Sequence, residues 1–263
     1  MTSTPPADPV ISLHGKRGLV VGIANADSIA FGCARAMRAA GAELAVTYLN
    51  AKAEPFVRPL AEQVEAPLVL PCDVREPGQL EAVFAEIGAR WGRLDFVLHS
   101  IAFAPREDLH ARVVDCSRDG FLLAMDVSCH SFIRMAKLAE PLMTEGGCLM
   151  TVSFYGAEKV VADYNLMGPV KAALESTTRY LAAELAERRI RVHALSPGPL
   201  ATRAASGIAR FDEMIRKTAA RTPAHQTVTI DDVGGYAVFL ASDAARAVTG
   251  SVVLIDHGFN IMG

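Results

Sequence analysis

Short runs of β-branched and aliphatic residues alternate along the chain with longer segments whose apolar positions recur every three or four residues. The first run, Gly18-Leu-Val-Val-Gly22, is apolar throughout and ended by glycine, which predicts a buried strand. A helix is predicted from about Ser28 to Ala40, with Asp27 or Ser28 as its cap and Gly41 as its stop. The alternation then repeats. Strands are predicted over 44–48, 68–72, 95–99, 148–152, 190–195 and 252–255, and helices over 53–64, 78–91, about 119–143, 165–186 and 231–240. A less regular stretch with helical pieces runs to Pro223. Strands alternating with helices predict an α/β fold, a doubly wound Rossmann-type parallel sheet of seven strands. No internal repeat, low-complexity tract or linker interrupts the pattern, so 1–263 reads as a single domain with a flexible leader over 1–12.

One predicted helix carries a polar pair. In Tyr164-Asn-Leu-Met-Gly-Pro-Val-Lys171 the seven-residue spacing makes nearly two turns at about 3.6 residues each, which would place the phenol and the ammonium on one face. A second pair, Tyr155-Gly-Ala-Glu-Lys159, lies in the loop before it.

Composition narrows the function classes. A chain of 263 residues with 51% hydrophobic content can bury a large core, and 21% charged residues do not describe a disordered chain. A net charge of −3 gives no overall basic field for nucleic acid or an anionic membrane. There is no apolar run long enough to span a bilayer, and Met1–Pro9 is polar and proline-rich, unlike a signal peptide. The five cysteines have no C-x-x-C spacing and do not cluster with histidine, so neither a disulfide framework nor a metal site is expected, and a reducing, cytoplasmic location is. None of the seven histidines has a partner at metal-ligand spacing, and only His257 is expected near a cofactor.

Ligands of open parallel sheets bind beyond the carboxyl ends of the strands. After the first strand, Gly22 opens a loop that leads to Ser28 and Ile29, where a helix N-terminus offers free N–H groups to a pyrophosphate. The middle glycine of G-x-G-x-x-G is missing. Asp73-Val74 closes the third strand, where the carboxylate either accepts from an adenine amine or caps the next helix. Ser100-Ile101-Ala102 closes the fourth with small residues that admit a cofactor to the backbone. The second strand ends in Tyr48-Leu49-Asn50, with neither the acid that holds the adenosine ribose of NAD nor an arginine for the 2′-phosphate of NADP.

Taken in order, Gly22…Ser28-Ile29-Ala30-x-Gly32, Asp73-Val74, His99-Ser-Ile-Ala-Phe-Ala-Pro105, Tyr164-x6-Lys171, Ser196-Pro-Gly-Pro and Asp256-x-Gly-Phe259 resemble the short-chain dehydrogenase/reductase superfamily. Within it, the chain most resembles the bacterial NADH-type enoyl-acyl-carrier-protein reductases, over about Leu13 to Phe259. The resemblance implies NADH as cofactor, with NADPH not excluded. It also implies a trans-2-enoyl thioester of acyl carrier protein or coenzyme A as substrate, a role in fatty acid synthesis, and a homotetramer in which the long helix before the fifth strand pairs with the active helix.

The same resemblance assigns roles. Lys171 opens a helix reading like the superfamily's active helix and would hold the nicotinamide ribose, while Tyr164 would donate to the enolate oxygen and be drawn toward ionisation by the neighbouring cation. The Tyr155/Lys159 pair matches the four-residue spacing of the ketone reductases but lies outside that helix. Charge on the oxygen of an enoyl thioester appears two carbons beyond the attacked carbon, and three extra residues of helix, about 4.5 Å of rise, would move the phenol by a fitting amount. Gly22, Ser28, Ile29, Asp73, Val74, Ser100, Ile101, Ala102, Lys171 and Leu200 are the implied cofactor residues. Phe103, Phe154, Tyr155, Ile208, Phe211 and Met214 are the implied substrate residues, the last three from a substrate loop over 201–223 whose plain alternative is an amphipathic helix packed on the core.

Phe154 stands where the resemblance implies a second tyrosine; either Tyr155 beside it supplies the hydroxyl, and so is a third catalytic candidate, or the site needs only an aromatic wall. Arginines and lysines over 203–221 make a local positive patch able to steer an acidic carrier protein. Two other readings stand beside the enoyl reductase: a superfamily reductase of another carbonyl or enoyl-CoA substrate, and a non-catalytic dinucleotide-binding sensor.

Overall fold

The computed structural model describes residues 11–202 and 211–262. Seven parallel strands form one sheet in the order β3-β2-β1-β4-β5-β6-β7, namely β1 (Arg17–Val21), β2 (Glu43–Tyr48), β3 (Leu68–Pro71), β4 (Phe96–His99), β5 (Gly147–Val152), β6 (Ile190–Pro197) and β7 (Val252–Ile255). The doubly wound sheet read from the hydrophobic pattern is therefore present. Its order reverses between β1 and β4, paired in register from Gly18↔Phe96 to Val21↔His99, which makes the carboxyl ends of these two strands the natural ligand crevice.

Strand side chains alternate between faces, and the two layers of core follow from that alternation. Val20, Leu44, Val46 and Leu98 face α1 (Ile29–Ala39), α2 (Glu54–Gln63) and α9 (Ile230–Ala241). Leu19, Val21, Ala45 and Val97 face α3 (Gln79–Trp91), α6 (Ser131–Ala139) and α7 (Met167–Glu184). The all-apolar strand runs have the same cause, since a parallel sheet covered on both sides leaves no strand face for water.

Most element boundaries fall within two residues of the sequence reading. The predicted helix over 119–143 is the main exception. It is α5 (Arg118–Met125), one π-helical turn over Asp126–His130, and α6. A short α4 (Arg106–His110) follows Pro105 and has no counterpart in the reading, and α8 (Phe211–Arg221) occupies the irregular stretch. No helix among the described residues is long and apolar enough to cross a membrane. All five cysteine thiols are free.

Candidate active site

At the head of α7, Lys171 is buried and its Nζ donates to the Val152 carbonyl at 2.6 Å, the last residue of β5. Burial pulls its pKa down to about 8, with Cys129 and Glu175 nearby acting in the opposite sense. Two residues beyond Val152, the Phe154 ring packs on the Tyr164 ring with centroids 4.8 Å apart. Tyr164 and Lys171 therefore converge on the carboxyl end of β5.

They do not converge through the helix. α7 begins at Met167, so Tyr164 precedes it, in a turn whose flanking residues Asp163 and Asn165 both adopt left-handed backbone, with φ of 63° and 42°. Aspartate and asparagine tolerate that conformation better than most residues, and Asn165 Nδ2 anchors the turn by donating to the Leu109 carbonyl at 2.9 Å. The shared helical face and the 4.5 Å of helical rise are thus replaced by a strained turn that delivers the phenol from outside. Pro169 lies in the first turn of α7, where no helix carbonyl awaits its missing N–H.

The phenol's electrostatics also differ from expectation. Burial, with the Glu175 charge adding to it, raises the Tyr164 pKa, and the expected lowering by Lys171 does not prevail. A phenolate in this apolar cluster would lose its hydration, so the hydroxyl stays protonated and acts as a hydrogen-bond donor. Room for the ring depends on Gly156, because a Cβ there would lie 2.4 Å from Tyr164 Cδ1.

Tyr155 opens a short 3₁₀ turn, Tyr155–Ala157, and its ring meets Phe259 edge-on at 5.6 Å. Lys159 is exposed beside Glu158. The four-residue pair thus shares no helix, and its lysine, more than half exposed and paired with Glu158, lines a surface cavity together with Tyr155. Phe154 and Tyr155 line a cavity of about 650 Å³ with Met214, Lys217, Pro199 and Phe259, closed on one side by α8. Ile208 and the side chain of Phe211 lie outside the described residues, as do Arg203 and Arg210. Phe103 does not line this cavity. It stands at the exit of β4, partly exposed, with both backbone polar groups held by Ser128, whose Oγ accepts from Phe103 N at 3.0 Å and donates to Phe103 O at 3.2 Å.

The residues expected to hold a dinucleotide gather along the carboxyl edge of β1, β3, β4 and β6. Gly22 has φ of 115°, and a Cβ there would lie 2.0 Å from the Ser100 carbonyl and 3.3 Å from Ile101 Cγ2, so the exits of β1 and β4 touch through bare backbone. Ser28 is the N-cap of α1 by backbone geometry, yet its Oγ turns back to accept from the N–H groups of Ala24 and Asn25, both at 3.0 Å. Ile29 and Ala30, the first two helical positions, have no helix carbonyl to bond and present their N–H groups outward. Ala102, after Ile101 at the exit of β4, is exposed. Leu200, at the exit of β6, lines a second cavity of about 230 Å³ together with Asp27, Ile215 and Ile230. A bare turn, free amides and apolar walls fit a dinucleotide.

Of the two sequence options for Asp73, the helix cap is not what the fold shows. α3 begins only at Gln79, so Asp73 does not cap it. Its carboxylate accepts from Arg75 Nε at 3.0 Å and Nη2 at 2.6 Å and is held below the usual carboxylate range by that contact. The Val74 carbonyl accepts from Arg134 Nη1 at 2.7 Å. Sequence reading missed both arginines and Ser128: Arg134 and Ser128 act across loops distant in sequence, and Arg75 folds back on a carboxylate two residues before it. His257 has φ of 51°, a left-handed position that glycine adopts more readily than histidine.

Beneath the site, His99 bridges Thr151 Oγ1 and Ser131 Oγ, both at 2.8 Å. Ser131 Oγ donates to the Val127 carbonyl at 2.7 Å, which leaves His99 Nε2–H to donate to Ser131 and Nδ1 to accept from Thr151. Burial, assisted by the Lys171 charge, pulls the His99 pKa down to about 3 and keeps it neutral.

Comparison with known proteins follows from this geometry. A family profile described as Enoyl-(Acyl carrier protein) reductase matches residues 22–260. An NADH enoyl-acyl-carrier-protein reductase of Rhizobium meliloti strain 1021 is 45% identical over 95% of this chain and 93% of its own length. Its counterpart in Salmonella typhimurium is 46% identical, with 95% of each chain covered. Among solved structures, the enoyl-acyl-carrier-protein reductase of Anaplasma phagocytophilum in complex with NAD superposes with a TM-score of 0.92 at 45% identity, covering 95% of this chain and 96% of its own.

Proposed function

The chain belongs to the enoyl-(acyl carrier protein) reductase family, and we propose that it reduces the double bond of trans-2-enoyl-acyl-carrier-protein thioesters with NADH, as a step of fatty acid synthesis in the cytoplasm. The observation that carries this reading is the choice between the two tyrosine–lysine pairs. Lys171 is buried at the head of the active helix with its Nζ on the Val152 carbonyl, and Tyr164, seven residues before it, is a buried phenol packed on Phe154, while Lys159 is exposed and paired with Glu158.

NADH, when bound, supplies the hydride for the β-carbon of the substrate. The protein's task is to hold the thioester oxygen where negative charge develops. Tyr164, kept protonated by burial, donates its O–H to that oxygen, and the low-polarity surroundings from Phe154, Leu166 and Met167 strengthen the bond. Lys171, charged below about pH 8, donates to the Val152 carbonyl and has further N–H groups for the ribose hydroxyls. Gly22, Ser28, Ile29, Asp73, Val74, Ser100, Ile101, Ala102 and Leu200 position the dinucleotide. The acyl chain enters the cavity of about 650 Å³ between Phe154, Tyr155 and α8, with Met214 on its wall.

The exposed apolar side chains Phe121, Leu122, Ile133 and Tyr180 on α5, α6 and α7 support the homotetramer that these helices would build. The test is to follow NADH oxidation with a trans-2-enoyl-acyl carrier protein and with the corresponding β-ketoacyl thioester. Turnover of the enoyl substrate supports the reading, and turnover of the ketone alone overturns it.

A further inference from the structure

We infer that Arg75 is a cofactor-binding residue, stacking over the adenine end of the dinucleotide as one half of a strap whose other half is Phe103. This rests on the NADH reading above. Arg75 follows β3 and Phe103 follows β4, and in the order β3-β2-β1-β4 the exits of β2 and β1 lie between them. Three strand spacings of about 4.8 Å put those exits roughly 14 Å apart. Even so, the Arg75 guanidinium lies 5.8 Å from the Phe103 ring centroid. The two side chains therefore bridge the crevice where the sheet order reverses.

The halves are held differently. Ser128, on the π-helical turn, bonds both the N–H and the carbonyl of Phe103, and a π turn inserted in a long helix is a recurrent device for aiming one side chain at a functional site. Arg75 has a side chain 45% exposed and is tethered by its Nε and Nη2 to Asp73, whose own side chain is 10% exposed. Among the described residues, Arg75 Nη1 donates to no protein acceptor, which leaves it free for a ligand. Asp73 is fixed in turn by Gln79, whose Oε1 accepts from Asp73 N at 2.8 Å.

An adenine reaching the Asp73 carboxylate from the crevice meets the flat guanidinium on the way. A planar cation that already rests on one aromatic face stacks on an adenine by the same attraction, and the fork to Asp73 keeps its plane fixed. Lysine retains the charge without the fork.

The experiment is to titrate the parent protein, Arg75→Ala, Arg75→Lys and Phe103→Leu with NADH, reading the cofactor's own fluorescence, and then with reduced nicotinamide mononucleotide, which lacks the adenosine. Arg75→Ala is expected to weaken NADH about tenfold and Arg75→Lys by less, with reduced nicotinamide mononucleotide within twofold of the parent. NADH affinity within twofold of the parent overturns the inference, and so does an equal loss for both ligands. Should Arg75→Ala fail to unfold cooperatively, Phe103→Leu decides. It keeps the ion pair and removes the ring, so about threefold weaker NADH with unchanged mononucleotide supports the strap, and unchanged NADH overturns it. A parent that binds no NADH refutes the cofactor reading itself.

Discussion

Gly156 gives direct control over the position of the Tyr164 ring without touching the ring itself. A Cβ at Gly156 would stand 2.4 Å from Tyr164 Cδ1, 2.9 Å from Cε1 and 3.3 Å from Phe154 Cδ1. Carbon atoms pack at about 3.5–4.0 Å, so the ring must retreat by about 1 Å. Gly156 does not have a positive φ, so alanine accepts the backbone and only the contact changes. A catalytic group displaced by about 1 Å loses roughly 100-fold in rate. Overpacking should cost about 1–3 kcal/mol of stability, a few degrees in Tm for a chain of this size. We expect Gly156→Ala to lower kcat/KM for a medium-chain enoyl thioester by about 100-fold while the protein still unfolds cooperatively. If that loss arises through the Tyr164 hydroxyl, then adding Gly156→Ala to Tyr164→Phe should cost less than about threefold more. Losses that multiply in the double variant would refute the reasoning, as would a single variant within threefold of the parent.

The remaining expectations concern the cofactor crevice and the buried bases. Gly22→Ala combines a forbidden φ of 115° with a Cβ 2.0 Å from the Ser100 carbonyl, so NADH affinity measured by fluorescence titration should fall tenfold or more; unchanged affinity would remove Gly22 from the site. Lys171 titrates near 8 in the unliganded protein, so NADH binding should weaken as pH rises through 8, and Lys171→Met should flatten that dependence. His99 and His193 have folded pKa values pulled down to about 3 and about 4, first by burial. The unfolded chain takes up protons below about 6.5 while the folded chain does not, so their stabilising effect is complete above that pH and is lost as pH falls towards 3. At pH 5 each costs about 2 kcal/mol relative to pH 7. Urea unfolding should therefore show about 4 kcal/mol less stability at pH 5, and a change below about 1 kcal/mol would contradict the burial of neutral imidazoles.

Local pattern made most of the sheet legible. A strand covered on both faces, such as β1 over Leu19–Val21, is apolar through its buried run, and a helix packed on one side must be amphipathic, so both leave their mark in one stretch of chain. The Asp126–His130 turn leaves none, because one π turn shifts the apolar register by a single residue inside an otherwise continuous helical pattern. α4 is too short to show a period. At the site, the spacing of Tyr164 and Lys171 was legible, but the geometry joining them was not. Placing Tyr164 on the helical face of Lys171 overlooks Asp163 and Asn165, residue types that accept left-handed backbone and mark a turn. Arg134 and Ser128 act on loops far away in sequence, as does Arg75 where it meets Phe103, and such contacts exist only once the strands are aligned. Lys171 is visible in the sequence and predicts a lowered Tyr164 pKa, whereas the burial that raises it is visible only in the fold.

That Tyr164 supplies the hydrogen bond to the developing enolate is the claim on which the rest depends, and the direct measurement is the relative kcat/KM of Tyr164→Phe and Tyr155→Phe for an enoyl-acyl-carrier-protein thioester. Removing one such donor typically costs about 100- to 1,000-fold. Tyr164→Phe should lose that much with NADH binding retained, and Tyr155→Phe, at the cavity wall, should lose less than about tenfold. Equal losses, or a larger loss for Tyr155→Phe, would place the chemistry on the other tyrosine.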